Sequence, residues 1–427
     1  MSFWQAKLFN LETVKAVTSL TDQGLVSATN FFLGIFVARL CGTEQYGLFN
    51  ICIGFTITMS VLQGSLILLP YAVYRNRITE EDRREAIGES LKQCVIILLL
   101  ITLFSYIYIF LFLPNIIPKP EIFIFGFLIF LIGSHLREFC RGICIGDSRF
   151  LIILLIDVVI SGTLFLILLS LFLSTEVTVS TIFIAVASSC VCGILVWFRI
   201  YWPQITLLSG LRRNAVAENW RLGRWVLASN APLMINMYIN IWLVGALLGP
   251  REAGIIAACN ALVMVVNPAI TAFHNVILPH ASQLGAEKGG LRLYRLIFKS
   301  AGLLGLALGA FCVLVWIFGG WLIVKIYGPS FNGQDSIVLL LAIVVLARSV
   351  SMPSQIGLLV AESAKSLLLV NLLAFFTNLI MSLILIPKVG IIGSATAAVF
   401  SEVIATAVRW LAFHRIMHSK NLARGGL

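Results

Sequence analysis

Charge is what this sequence most lacks. Only 11% of its 427 residues are charged, against about 25% in soluble globular chains, while 59% are hydrophobic. The apolar residues fall in blocks of about twenty, enough to cross a bilayer as a helix, and not in amphipathic or alternating patterns. That excludes a soluble domain and sets the fold class as an all-α polytopic membrane protein. Acids are scarcer than bases, 19 against 30, for a net charge of +11. On a soluble chain such an excess points to nucleic acid. Here retention of positive charge on the cytoplasmic side accounts for it, and no nucleic acid partner is expected. No G-x-x-x-x-G-K loop occurs, so direct use of ATP is not expected. The nine cysteines are scattered, mostly through apolar segments. Cys140 and Cys144 stand one turn apart, and Cys190 and Cys192 form a C-x-C. Neither pair has the companions of a zinc site, so no metal or other cofactor is expected and the thiols read as small buried groups. The start, Met1 to Lys15, lacks the pattern of a cleavable signal peptide. Phe3, Trp4, Leu8, Leu11 and Val14 share one helical face, which predicts an interfacial helix over residues 1–17.

About twelve spans follow, near residues 18–40, 46–70, 90–113, 121–141, 150–173, 178–200, 221–248, 252–279, 295–325, 335–361, 365–387 and 389–416. With the N-terminus inside, the inner loops and span ends collect most of the bases, among them Arg75, Arg83, Arg84, Arg137, Arg141, Arg212, Arg213 and Arg409. The outer side holds only Arg39, Lys119, Arg251, Lys325 and Lys388. Both termini are therefore expected in the cytoplasm. The outer loops at 114–120, 174–177 and 328–334 are too short to hold the groups of an enzyme working at the outer surface.

A weak internal repeat divides the chain. Leu40-Cys41-Gly42-Thr43-Glu44-Gln45-Tyr46-Gly47 is similar to Leu248-Gly249-Pro250-Arg251-Glu252-Ala253-Gly254. Both place G-x4-G after the first span of a half, and Leu69-Pro70 and Leu278-Pro279 close the spans that follow. The chain thus reads as an N-lobe at 18–200, a cytoplasmic linker at 201–220, a C-lobe at 221–416 and a cytoplasmic tail at 417–427. Parallel repeats imply a pseudo-two-fold axis along the membrane normal and a central cavity between two six-helix lobes. Within the first span, Gln23, Ser27 and Asn30 recur at i, i+4 and i+7, with Asp22 at their edge. Hydrocarbon does not accept such a stripe, so it faces protein or water.

Several landmarks together resemble a known family. Asp22-Gln23, Asn30-Phe31, Ala38-Arg39, Gly42 and Tyr46-Gly47 are similar to the opening of polysaccharide exporters of the O-antigen flippase type. Leu136-Arg137-Glu138-Phe139 with Arg149-Phe150, Gly254 with Ala257-Ala258, Leu278-Pro279, Tyr327-Gly328, and Pro387 with Gly390, Gly393 and Ala395 look like later landmarks. The family sits in the multidrug and oligosaccharidyl-lipid exporter superfamily. The resemblance covers nearly the whole chain. It implies a multi-pass protein of the bacterial inner membrane that flips a polyprenyl-pyrophosphate oligosaccharide by alternating access, with membrane lipids and a polysaccharide polymerase as partners.

Such a cargo needs cations for its phosphates and amides or hydroxyls for its sugars. Arg348, near the middle of residues 335–361, either attracts the pyrophosphate or pairs with Glu402. An unpaired midplane arginine costs about 2.5–3.5 kcal/mol on insertion scales. Asp22 and Asp157 are candidates for proton or sodium coupling, with pairing to an arginine as the alternative. Arg39 meets emerging phosphates or snorkels at the interface. Asn30, Asn236, Asn240, Asn267 and Asn378 lie at middle depths, and the repeat sets Asn236 beside the level of Asn30. Their amides suit sugar hydroxyls or bonds between helices equally. Gly302, Gly305 and Gly309, and the small residues from Gly393 to Ala398, read as sites of close helix packing. An ion-coupled multidrug antiporter of the same superfamily is the alternative function. A membrane-embedded glycan polymerase or ligase fits less well, for want of a clustered His, Arg and acid set.

Overall fold

The computed structural model describes residues 3–75, 79–112, 120–173, 177–202, 205, 213–286, 290–361 and 363–422. They form helices and short turns, with no strand among the described residues. Helix α1 spans Phe3–Gln63 and runs through a π turn at Gly64–Leu68 into α2, Leu69–Tyr74. Then come α3 Glu80–Phe112, α4 Pro120–Gly146, α5 Phe150–Phe172, α6 Val179–Tyr201 and α7 Arg213–Leu247. The remainder is α8 Pro250–Val263, α9 Asn267–Ala286, α10 Gly290–Tyr327, α11 Asp335–Val360, α12 Ala364–Val389 and α13 Ile391–Leu422.

Among the described residues eleven helices are long and apolar enough to cross a membrane. The first, Val17–Tyr74, is 58 residues long, close to three bilayer cores at about 1.5 Å per residue. It is not continuous: Gly42, at φ 81° and ψ 175°, interrupts the helical backbone. That conformation favours glycine, which has no Cβ to clash. The count of eleven is thus one of helices, and the first holds two span-length pieces. The expected span at 252–279 is two helices, α8 and α9, joined by a 3₁₀ turn at Met264–Val266. Pro268 explains the break, since it offers no N–H to Met264 and its ring crowds that carbonyl. The segment expected as a separate surface helix at 1–17 is helical from Phe3 and continuous with α1. The tail expected from 417 is still helix α13 as far as Leu422.

The chain divides into two compact units, Met1–Cys41 with Cys52–Met234, and Gly42–Ile51 with Ile235–Leu427. The division falls inside α7 and not in the expected linker at 201–220, of which residues 203–204 and 206–212 lie outside the described residues. Local packing explains the shift. The first half of α7 belongs to unit 1 because Asn219 Nδ2 donates to Gln93 Oε1 at 3.0 Å. Gly223 also lies so close to the π turn that a Cβ would sit 3.0 Å from Leu66 Cα. Gly42–Ile51 goes to unit 2 because it packs on α8. A Cβ on Gly47 would fall 2.7 Å from the Pro250 carbonyl carbon, and one on Gly254 would fall 3.0 Å from the Gly47 nitrogen. The G-x4-G motifs meet each other reciprocally: Gly47 lies against the residue after Gly249, and Gly254 against Thr43, the residue after Gly42.

Unit 1 packs around Ile67, Ile87, Phe139, Ile143, Ile156 and Trp197. Unit 2 has a core of Ala281, Leu293, Ile297, Ile356, Leu358 and Phe413, and its residue Tyr46 stacks into an aromatic group with Tyr327 and Phe331. Six of the nine cysteines are buried and none is bonded to another. The glycines of α10 do not pack as expected: nothing lies within 4 Å of a Cβ on Gly302 or Gly309, and Gly305 meets only Val350, at 3.5 Å. The small residues of α13 do pack, with Ser394, Ala395 and Ala397 fully buried.

Candidate functional site

Buried charge gathers in three clusters among the described residues, two in unit 1 and one in unit 2. The first, in unit 1, joins α1, α4 and α5. Arg137 and Arg141 stand one turn apart on α4 and so share a face. Arg137 donates through Nη2 and Nε to Asp157 Oδ1, at 2.7 and 3.1 Å. Arg141 donates to Asp22 Oδ2 at 3.0 Å and pairs through Nη1 with Asp157 Oδ2. Asp157 is completely buried, and Asp22 and Arg141 are nearly so. Two carboxylates and two guanidiniums leave this cluster with no net charge. Isolated buried ions are costly, and mutual pairing is what makes the set tolerable.

Beside the cluster is a recess of about 30 Å³, lined in part by Thr29, Asn30, Arg137 and Ser161. That is room for one or two water molecules. Thr29 Oγ1 lies 2.9 Å from Ser161 Oγ and 2.8 Å from the Leu25 carbonyl. The polar stripe of the first span is open: Gln23, Ser27 and Asn30 are exposed while Asp22 is buried. In a bilayer, exposed polar groups at this depth must meet water.

In unit 2 the charged cluster lies on α11 and α13. Arg348 Nη2 is 3.5 Å from Glu402 Oε2, and Arg409 Nη1 is 3.8 Å from Glu402 Oε1. Arg409 also donates to Ser351 Oγ and, at 3.4 Å, to Asn371 Oδ1. Two cations share one carboxylate here, so the trio carries one positive charge in excess. Arg348 is its open member, with 44% of its side chain exposed against 7% for Arg409. A second polar track joins α7 to α12. Asn378 Nδ2 donates to Asn236 Oδ1 at 3.0 Å, and Ser382 Oγ donates to Asn240 Oδ1 at 3.1 Å. These pairs repeat at i, i+4 on both helices and form a ladder.

A third cluster, in unit 1, closes on Asp147 in the turn between α4 and α5. Tyr71, Arg75 and Arg83 reach its carboxylate at 2.9, 2.8 and 2.5 Å, and Tyr201 at 3.0 Å. Arg149 lies over the Tyr201 ring, 5.2 Å from its centroid. Burial pushes the Asp147 carboxyl up, but hydrogen bonds from Arg83, Arg75 and Tyr71 outweigh it and hold the group below the usual carboxylate range.

The expected site residues therefore divide. Arg348 meets Glu402 and remains half open. Asp22 and Asp157 each meet arginine. Asn236, Asn240 and Asn378 bond between helices. Asn30, Asn267 and Arg39 are exposed, and Asn267 begins α9 with its amide 3.0 Å from Met264 Sδ. Arg137, Arg141, Arg83 and Arg409 read in the sequence as inner-side charge, yet each ends in an ion pair. The i, i+4 spacing of Arg137 and Arg141 inside an apolar run was the available signal. Among the described residues no group of three His, Cys, Asp or Glu is placed to hold a metal.

A family profile described as polysaccharide biosynthesis protein matches residues 15–285. No curated protein sequence matches significantly. Among solved structures, the chain is similar to an inward-facing multidrug resistance MATE family transporter of the MOP superfamily, with TM-score 0.77 and 16% identity over 92% of this chain and 94% of that one. It is also similar to a MOP superfamily transporter from Pyrococcus furiosus, described as having a binding pocket of reverse polarity, with TM-score 0.65 and 16% identity over 96% of both chains. At this identity the likeness shows the fold, that of a multi-pass membrane protein.

Proposed function

The chain belongs to the polysaccharide biosynthesis protein family, and from that premise we propose that it moves an anionic lipid-linked oligosaccharide across the bacterial inner membrane. The cargo is a glycan joined to a polyprenyl tail by pyrophosphate, and the movement is alternating access between two six-helix lobes with both termini in the cytoplasm. The observation that carries the reading is the excess cation of unit 2. Arg348 shares Glu402 with Arg409 and leaves nearly half its side chain open. An open guanidinium at mid-helix is a two-pronged donor for phosphate. Exposed Asn30 and Asn267 supply amides for sugar hydroxyls, and Arg39 a further cation. Asp22 and Asp157 couple transport to a proton or sodium ion only if a carboxylate parts from its arginine during the cycle.

The likeness to multidrug transporters favours a second reading, ion-coupled export of organic cations. An open arginine disfavours that cargo by like-charge repulsion. The test is a deletion strain with leaflet-resolved detection of lipid-linked glycan. Build-up on the inner leaflet, reversed by the wild-type gene and not by Arg348→Gln at equal protein level, supports the first reading. Normal glycan export with lost efflux of a cationic dye supports the second.

A further inference from the structure

Arg137 has donors to spare. Its Nε and Nη2 both go to the same oxygen of Asp157, which leaves Nη1 with no protein acceptor among the described residues. The side chain is 19% exposed and lines the recess beside Asn30 and Ser161. Asn30 has no hydrogen-bond partner among the described residues. Thr29 has one proton for two neighbours, the Leu25 carbonyl at 2.8 Å and Ser161 Oγ at 2.9 Å, so Ser161 is already engaged with Thr29 and lines the recess without a spare donor. Two helices, α1 and α4, thus each bring an unused donor to one small space that α5 closes with Ser161. The nearby carboxylate, Asp157, is already neutralised by two guanidiniums. With both carboxylates of the cluster committed to guanidiniums, the free N–H groups of Arg137 and Asn30 suit an anionic oxygen.

Size narrows the occupant. A recess of about 30 Å³ admits one or two oxygen atoms and no sugar ring. We propose that the Arg137 recess is a second anion subsite, taking the oxygens of a single phosphate or of a single sugar carboxylate on the transported head group. The bound oxygens compete with Asp157 for Arg137, while Asp157 keeps Arg141 and the carboxylate is never left alone in the membrane. Exchange between an internal and an external anion holds the cost of binding and of release low, which a transport cycle requires. This rests on the reading that the cargo is an anionic glycolipid.

The test uses the purified full-length chain in detergent, with inorganic pyrophosphate and glucuronate as probes and calorimetric binding as the readout. Wild type binds at least one of them. Arg137→Gln weakens that binding by about tenfold or more, the loss of one charge-assisted hydrogen bond. Arg137→Lys weakens it less, keeping the charge and losing the fork. Asn30→Ala weakens it by a smaller factor and leaves the ion pairs whole, so it serves if Arg137→Gln does not fold. Preference for pyrophosphate assigns the phosphate, and preference for glucuronate the carboxylate. Failure of wild type to bind either probe overturns the proposal, as does identical binding by wild type, Asn30→Ala and Arg137→Lys. The glycolipid reading stands or falls apart from this, on whether cells lacking the chain still export glycan.

Discussion

The contact between the two G-x4-G motifs gives a prediction whose size follows from geometry. Replacing Gly47 by Ala places a Cβ 2.7 Å from the Pro250 carbonyl carbon and 2.8 Å from the Gly254 nitrogen, with the Pro250 oxygen closer still. Carbon pairs reach their best separation at about 3.5–4.0 Å, so the two segments must part by roughly 1 Å. The obstacles are backbone atoms of a helix start, which cannot swing aside as a side chain would. Overpacking of this kind costs about 1–3 kcal/mol, occasionally more. Gly254→Ala strains the same contact from the other side, where Thr43 and Gly47 supply the backbone. Once one alanine has opened the gap, the second adds little, so the double variant costs clearly less than the sum of the two. The assay is the thermal midpoint of purified protein in one fixed detergent, by size-exclusion fluorescence, for wild type, both singles and the double. Full additivity, or singles indistinguishable from wild type, would refute the claim that the two motifs touch.

Four further outcomes follow from the clusters. Asp157→Asn strips a fully buried carboxylate from two arginines and costs about 3–5 kcal/mol, read as a large drop in thermal midpoint and folded yield. Asp147 is held below its ordinary pKa. Its contribution to stability is therefore complete above the unfolded-state value of about 3.9 and is lost as pH falls through the lowered folded value; Asp147→Asn flattens the acid limb of a stability–pH curve. Asn378→Ala removes a rung between α7 and α12, where bonds inside membranes average about 0.6 kcal/mol, and leaves expression near wild type. Arg348→Lys retains part of the glycan export that Arg348→Gln loses, measured at matched protein level, because charge survives without the two-pronged geometry.

The spans were legible because lipid imposes one rule on every helix, and apolar blocks of fixed length obey it. The break at Gly42 was legible as a turn, since the repeat puts a glycine at the same point before Gly47 and Gly254. The reciprocal seating of those glycines was not, because a missing side chain does not name the backbone it lies against. The split of the eighth span was marked by Asn267-Pro268 and passed over, since apolar length outweighed a single proline. Among site residues, depth alone offered Arg348 as either a phosphate ligand or a partner of Glu402, and the structure sets the two side chains 3.5 Å apart. The ion pairs of Arg137, Arg141 and Arg409 were not legible, because a long arginine near a helix end can snorkel outward or turn inward, and the sequence records only where the Cα falls. Asp22 and Asp157 were visible as buried acids. Their partners lie 119 and 16 positions from them for Arg141 alone, beyond any local pattern.

The cluster of α1, α4 and α5 and the cluster of α11 and α13 differ in one respect that bears on what can cross. In the first the charges cancel, two acids against two bases, and all four side chains are largely buried. In unit 2 they do not cancel, and the surplus resides on its most exposed member, Arg348. Membrane interiors penalise a surplus charge, so a structure that could have neutralised Arg348 with one more carboxylate, as Asp22 and Asp157 neutralise Arg137 and Arg141, has kept it open at a cost. An anion supplied from outside removes that cost for as long as it is bound, and a cation raises it. Anionic cargo is therefore expected to raise the thermal midpoint of the purified chain, and cationic dyes are not.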